Sequence, residues 1–388
     1  MLNIHLKRTK RLHSGHLWIF SNEVREGLKQ YDPGSLVEVY DMHEEFIGVG
    51  YINPNSLIAV RLLTREKKSI DRDFLRQRMI DAIRLRERLL NERDACRIIY
   101  SEGDYLPGLI ADRYGNCLVL QFLTFGMEAM KDIITGLLDE LLKPDTIIIR
   151  NESRVRTLEG LSLYKEIVKG SIDTLPVISE DGVLFEIDPY EGQKTGFFLD
   201  QRDNRVCLKK YIKEGKGLDL FSYNGTWSMH LASAGAEITC VDSSDRAIAQ
   251  ARRNADLNNL NSRIDFAVED VFAFLEKELR RNEKKYDFIV LDPPAFVKSA
   301  GKLKEAAKAY REINELSMRL IRPGGILASS SCSYHMNKDL FADTLTTAAR
   351  NAGRSLRLIE LRSQAPDHPV LLCMPETEYL KCAFLVVD

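Results

Sequence analysis

The sequence predicts an α/β protein whose carboxyl-terminal half is a doubly wound, mostly parallel sheet. A small β-rich domain and a compact α+β domain precede it. Three observations predict this. Strand and helix patterns alternate regularly from KGLDLF to GILASSS, as a parallel sheet flanked by helices requires. Short β segments separated by polar or Asn-Pro turns fill the stretch before residue 70. Finally, the apolar runs in YDFIVLDPPAF and GGILASSSCSYH end at Asp292 and Cys332. If these runs are parallel strands, they deliver a carboxylate and a thiol to one sheet edge, where ligands of open α/β sheets bind.

At 388 residues the chain is long enough for two or three domains. Hydrophobic residues at 44% and charged residues at 29% fit a soluble globular protein, and no apolar run approaches the length of a membrane helix. The amino terminus, MLNIHLKRTKRLHSGHLWIF, lacks the uninterrupted apolar stretch of a secretory signal, so a cytoplasmic location is expected. Seven cysteines without CxxC spacing argue against both a disulfide framework and a zinc cluster, and no metal is expected. The net charge of −2 hides an asymmetry: residues 1–100 carry 18 Lys and Arg against 14 Asp and Glu. Lys7, Arg8, Lys10 and Arg11 are the tightest basic cluster, which suits phosphates and equally suits a solvated surface.

Residues 1–70 read as the β-rich domain, with strands in SLVEVYD, EFIGVGYI and SLIAVRLLT. DRDFLRQRMIDAIRLRERLL has helical spacing, with Leu75, Met79, Ile83 and Leu89 or Leu90 near one face and a start at Asp71 or Asp73. Its arginines read as a solvated face in preference to a nucleic-acid-binding stripe, although the neighbourhood leans basic. Residues 71–182 form the α+β domain, with strands in GLIADRY, NCLVLQFLT and DTIIIRN and a helix near 127–142. From residue 183 to 388 the strands are KGLDLF, EITCVD, RIDFAV, YDFIVLD and GILASSS, and the closing EYLKCAFLVVD can pair antiparallel at the edge or centre. There is no internal repeat or low-complexity tract.

The turn DLFSYNGTW leads from the first of these strands into a helix and exposes backbone N–H groups to a ligand, with Gly225 permitting close approach. Its single glycine disfavours a dinucleotide, which wants GxGxxG. Asp242 stands 23 positions after Asp219, where a carboxylate can accept both ribose hydroxyls, and Asp270 in AVEDVF can meet an adenine amino group. Each alone reads as a helix cap. Three in series at strand ends suit an adenosine without phosphates.

These residues carry a resemblance: DLFSYNGTW, CVDSS, EDVF and LDPPAF look like the S-adenosylmethionine-binding motifs of Rossmann-like methyltransferases. More narrowly, EGQKTGFFLDQRDNR, EGDYLPGLIADRYGN and SSCSYH resemble the bacterial ribosomal RNA large subunit methyltransferase I family, over nearly the whole chain. The family methylates cytosine C5 in 23S rRNA. The resemblance implies an RNA-binding PUA domain at the front, with Lys7 and Arg8 on the substrate. It implies cofactor contacts from Phe221, Ser222, Asn224, Gly225, Asp219, Asp242 and Asp270, with Phe198, Gln201 and Arg202 lining the cleft or its approach. The turn YNGTW departs from the family pattern, which expects a threonine and a second small residue. Asn224 tolerates unusual backbone angles. A homodimer is admitted as an assembly.

The chemistry so implied is demanding, because C5 of cytosine is a weak nucleophile and needs a thiolate added at C6 to activate the ring. Cys332 is the thiol whose neighbours, SSSCSYH, are polar on both sides, whereas Cys240 and Cys382 sit in apolar strand interiors. Asp292 would protonate or hydrogen-bond ring N3, or bind the amino group if ionised. His335 can aid the thiol or be structural. Pro293 and Pro294 make a rigid pocket wall and Phe296 can stack on a flipped base. DPPAF also resembles the motif of exocyclic-amine methyltransferases, which need no thiol. A nicotinamide oxidoreductase and a non-catalytic RNA-binding protein are the readings from other classes.

Overall fold

The computed structural model describes residues 2–91, 94–281, 285–296 and 303–388. It divides into two compact units, one of Met1–Ile178, Ile187–Leu199 and Pro366–Thr377, the other of Ser179–Glu186, Asp200–Ala365 and Glu378–Asp388. No helix among the described residues is long and apolar enough to cross a membrane.

The first unit carries two five-stranded sheets. One is ordered Leu2–His5, Leu36–Tyr40, Phe46–Ile52, Ile58–Thr64, Trp18–Phe20. Alternation in LVEVY buries Val37 and Val39 against Ile4, Ile19, Val60 and Leu62, while Glu38 points the other way. The second sheet runs Tyr164–Lys169, Thr146–Asn151, Cys117–Phe122, Leu109–Tyr114, Ala95–Tyr100. Its one parallel pair, Cys117–Phe122 with Thr146–Asn151, is bridged by the helix Lys131–Leu142.

Arg72–Leu89 is the long helix expected after the first sheet, and Asp71 caps it by accepting from Phe74 N at 3.0 Å. Leu75, Met79 and Leu90 are buried, whereas Leu89 is exposed. The arginine face needs correction at Arg86, which is not solvated but buried. Its guanidinium donates to Asp104 Oδ2 at 2.8 Å and to the carbonyls of Arg97 and Asp367 at 2.7 Å each, so the charge is paired and its donors are used.

The second unit is built on a seven-stranded sheet: β1 (Lys216–Leu220), β2 (Glu237–Asp242), β3 (Ile264–Val268), β4 (Tyr286–Leu291), β5 (Ile321–Ser331), β6 (Leu356–Arg362) and β7 (Lys381–Val387). The order is β3-β2-β1-β4-β5-β7-β6. β1 to β5 are mutually parallel and β7 is antiparallel to both neighbours. The closing strand is therefore internal, and the edge belongs to β6. Among the helices are α1 (Arg202–Leu208), α2 (Thr226–Ser233), α3 (Asp245–Leu257), α4 (Val271–Arg280), α5 (Leu303–Leu320) and α6 (Lys338–Ala352). Leu218, Leu220, Ile289, Leu291 and Leu327 of the sheet pack with Tyr310 and Phe341 of the helices in one core. Strand order reverses at β1, between β2 and β4, so the carboxyl ends of β1 and β4 open onto the switch point of the sheet.

Candidate active site

The β1 to α2 turn is made from alternating left-handed residues, Phe221 (φ 62°), Tyr223 (φ 49°) and Gly225 (φ 75°). Asn224 is not among them, so the angular tolerance expected of Asn224 is unused and the strain falls on two aromatic residues. Gly225 is needed for its φ and because a Cβ there would meet Met229 Cε at 3.0 Å and Ala251 Cβ at 3.1 Å. The space beside it is taken by α2 and α3 side chains, and the close approach it permits is theirs.

Asp219 lies fully buried under this turn. Its Oδ2 accepts from Ser228 N at 3.1 Å and Ser228 Oγ at 2.7 Å, tying the start of α2 to the strand. Burial pushes its carboxyl up to about 7, against the two Ser228 bonds, with Asp292 and Asp242 adding like charge. Asp219 Oδ1 and Asn224 Oδ1 are buried with no hydrogen-bond partner among the described residues, and Ser222 Oγ has at most the weak Cys240 thiol. These oxygens leave hydrogen-bonding capacity at the turn that the described residues do not use. Asp242 at the end of β2 accepts from Tyr223 N and Ser244 N, both at 2.9 Å. Asp270 is exposed and caps α4, accepting from Ala273 N at 3.1 Å.

β4 and β5 run parallel with Leu291 opposite Ser329, so the two chains leave the sheet side by side. Asp292, next after β4, has both carboxylate oxygens engaged: Oδ1 accepts from Gln201 Nε2 and Oδ2 from Trp227 Nε1, each at 3.0 Å. Burial raises its pKa, while the Trp227 and Gln201 bonds pull the other way. Gln201 also donates to Ser330 Oγ at 3.1 Å and accepts from Asn204 at 2.7 Å. It braces the carboxylate from a position the sequence assigned to the cofactor. Cys332, one residue past β5, is partly exposed and brings its Sγ to 3.9 Å from the carbonyl oxygen of Pro293. Thiol, carboxylate and the DPP segment are thus one cluster.

Around it, Pro293 is buried and Pro294 exposed. Phe296 is partly exposed, and its ring packs against Tyr310 at 4.8 Å and Phe221 at 6.2 Å. His335 is exposed, with its ring 5.4 Å from Tyr334. Arg202 donates to Asp203 at 3.1 Å. In the first unit, Phe198 lies under the Lys194 ammonium, 4.5 Å from its ring centre. Lys7 and Arg8 are exposed and line an open depression of about 480 Å³ with Arg11, Phe20, Asn22, Glu23 and Leu57, in which Arg11 donates to Glu23 at 2.9 Å. Trp227 and Tyr310 were missed from sequence, although Trp227 is one of two tryptophans and directly follows the NGT turn.

A family model described as a PUA-like domain matches residues 2–65, and one described as an S-adenosylmethionine-dependent methyltransferase matches residues 164–377. A ribosomal RNA large subunit methyltransferase I from Pseudoalteromonas atlantica is 37% identical over 385 residues, 98% of this chain and 97% of its own. The chain belongs to the ribosomal RNA large subunit methyltransferase I family. The Aeromonas salmonicida member is 38% identical over 380 residues, 96% of each chain. Two solved structures share the fold over 100% of both chains: a candidate SAM-dependent methyltransferase from Streptococcus mutans (TM-score 0.85, 21% identity) and a candidate methyltransferase in complex with SAH (TM-score 0.87, 20% identity). As a family member the protein is an S-adenosylmethionine-dependent methyltransferase, with the Rossmann-like domain and the PUA-like front domain that its sequence led one to expect.

Proposed function

We propose that this methyltransferase modifies C5 of a cytosine in the 23S rRNA of the large ribosomal subunit, through a covalent bond between Cys332 and C6 of the base. The observation that carries the reading is the meeting of Cys332 with the Asp292-Pro293 segment at the ends of two adjacent parallel strands. The relatives named for ribosomal RNA support the substrate class, and the exposed Lys7 and Arg8 suit phosphates.

The unused oxygens of Asp219 and Asn224, with Ser222 Oγ, fit a polar, uncharged or cationic ligand. With Phe221, Gly225 and Asp242 they would hold S-adenosylmethionine, and Asp270 keeps a second oxygen beyond its capping bond for the adenine end. Bound there, the cofactor supplies an electrophilic methyl group. The protein's own residues do the rest. The Cys332 thiolate adds to C6, forming an S–C bond while the C5–C6 electron pair is released toward C5 and N3. Asp292, braced on both oxygens and with its pKa raised, retains a proton to higher pH than an ordinary carboxyl and donates it to N3 as a hydrogen bond. Transfer of the C5 proton to a solvent base then lets the C5–H electron pair re-form the C5–C6 double bond, expelling the Cys332 thiolate and restoring the ring.

Methylation of an exocyclic amine through DPPAF needs a peptide carbonyl open to the amine. That of Pro293 already faces the thiol, which favours the C5 reading. The test is methyl transfer to rRNA from cells lacking the protein, with the product base identified by mass. C5-methylcytosine from wild type and none from Cys332→Ala is the expected result; a methylated amine, or undiminished activity in the variant, would refute it.

A further inference from the structure

Cys332 has an electropositive neighbour that no motif pointed to. Lys381 opens β7 and stands in register with Ser331 across the antiparallel β5 to β7 pair, one residue before the cysteine. It is buried, at 4% exposure. Its ammonium donates to the carbonyl of Ser333 at 2.7 Å and to that of Tyr379 at 2.8 Å, which uses two of its three N–H groups. The bond to Ser333 fixes the residue that follows Cys332, as the strand pairing fixes the one before it. Tyr310 adds a further hold, its hydroxyl 3.1 Å from Ser333 Oγ.

No ion pair joins Lys381 to a carboxylate among the described residues. The nearby Glu378 is engaged by Lys338 at 2.7 Å. A buried cation left in this state is costly unless it serves a negative charge that comes and goes. Burial pulls its pKa down to about 8; of the charges opposing that shift, the one at Cys332 acts first and Glu378 second, while Lys338 works with burial. Titratable groups on the packed elements include Tyr310, pushed up to about 12 by burial and then by Cys332, Cys382 next to Lys381 on β7, pushed up to about 12 by burial, Asp292 at the end of β4 and His335 in the same loop as the thiol.

We propose that Lys381 is a positioning residue for Cys332, clamping the backbone of the cysteine loop and stabilising the thiolate before attack on the base and again when it is expelled. This rests on the reading of Cys332 as the nucleophile. Cysteines beside a lysine or arginine are reactive because the cation favours the thiolate.

The test is the rate at which iodoacetamide alkylates Cys332, followed by peptide mass spectrometry from pH 6 to 10 in the full-length protein. Lys381→Met is expected to move the midpoint of the profile up by about one unit, or about tenfold slower alkylation near neutrality. Lys381→Arg should keep the midpoint near wild type. An unmoved midpoint in folded Lys381→Met overturns the inference. Should that variant fail to fold, the reciprocal measurement decides: removing the thiolate in Cys332→Ser must lower the pKa of Lys381, read as faster acetylation of its amine at pH 7 to 8. No change in that rate overturns it equally. Methyl transfer by Cys332→Ala separates the two readings, since full activity there defeats the nucleophile itself, whereas lost activity with an unmoved alkylation profile defeats only Lys381.

Discussion

Within the methyltransferase unit, Glu180 on one side and Asp219 and Asp292 on the other are treated in opposite ways. Glu180 is surrounded by cations: Arg205 meets it at 2.7 Å through both Nε and Nη2, and His230 Nε2 lies 2.9 Å away. Burial would raise its pKa, but Arg205 and His230 overcome that and hold the carboxyl at about 2. Among the described residues, Asp219 and Asp292 receive only neutral donors, from Ser228, Trp227 and Gln201, and both have raised pKa values. The paired site keeps a fixed charge and serves stability. The unpaired acids sit where ligand and substrate are expected, poised to change protonation or accept new partners.

The comparison can be broken from either side. Glu180→Gln leaves the Arg205 charge buried without its counter-ion, and should lower unfolding free energy in denaturant by about 3–5 kcal/mol. Asp292→Asn should leave stability near wild type and reduce methyl transfer about 10²–10³-fold, with cofactor affinity by calorimetry little changed. An equal loss of stability in the two variants would erase the distinction. Trp227→Phe removes one donor to Asp292 and should slow turnover about tenfold. Because that bond lowers the Asp292 pKa, its loss should also move the alkaline limb of the rate profile to higher pH.

The smallest effect lies in the pH dependence of folding. Glu180 is depressed below its ordinary 4.5, so its stabilisation is complete above that value and is lost as pH falls toward about 2. Asp219 is raised, so the folded protein loses stability as pH climbs from 3.8 to about 7, the range where only the unfolded chain ionises freely. Asp219→Asn should flatten the ligand-free stability curve across that range, as read by denaturant unfolding. A curve of unchanged slope would mean the carboxyl ionises normally in the fold.

Strand ends were the legible part of the candidate site. Asp219, Asp242, Asp292 and Cys332 each close or follow an apolar run, and sequence periodicity locates such positions directly. What escaped depends on contacts between distant segments. Gln201 looked like a cofactor ligand by its motif, yet its amide reaches Asp292, 91 positions away. Lys381 read as one more residue of a closing strand until antiparallel pairing set it beside Ser331. β6 was not foreseen because its side chains are rich in charge, with Arg362 bonded to Glu360 at 2.6 Å, leaving little apolar signal. Phe296, read from sequence as a stacking partner for a base, is partly buried and packs against the core as well.

The most direct test of the covalent reading uses ribosomal RNA carrying 5-fluorocytosine, whose C5 has no proton to lose once the methyl group has arrived. Incubated with S-adenosylmethionine, the wild-type protein should form an RNA adduct that survives denaturation and maps to Cys332, and Cys332→Ala should form none. Unmodified RNA methylated at full rate by Cys332→Ala, with no adduct on the fluorinated RNA in either protein, would contradict the account.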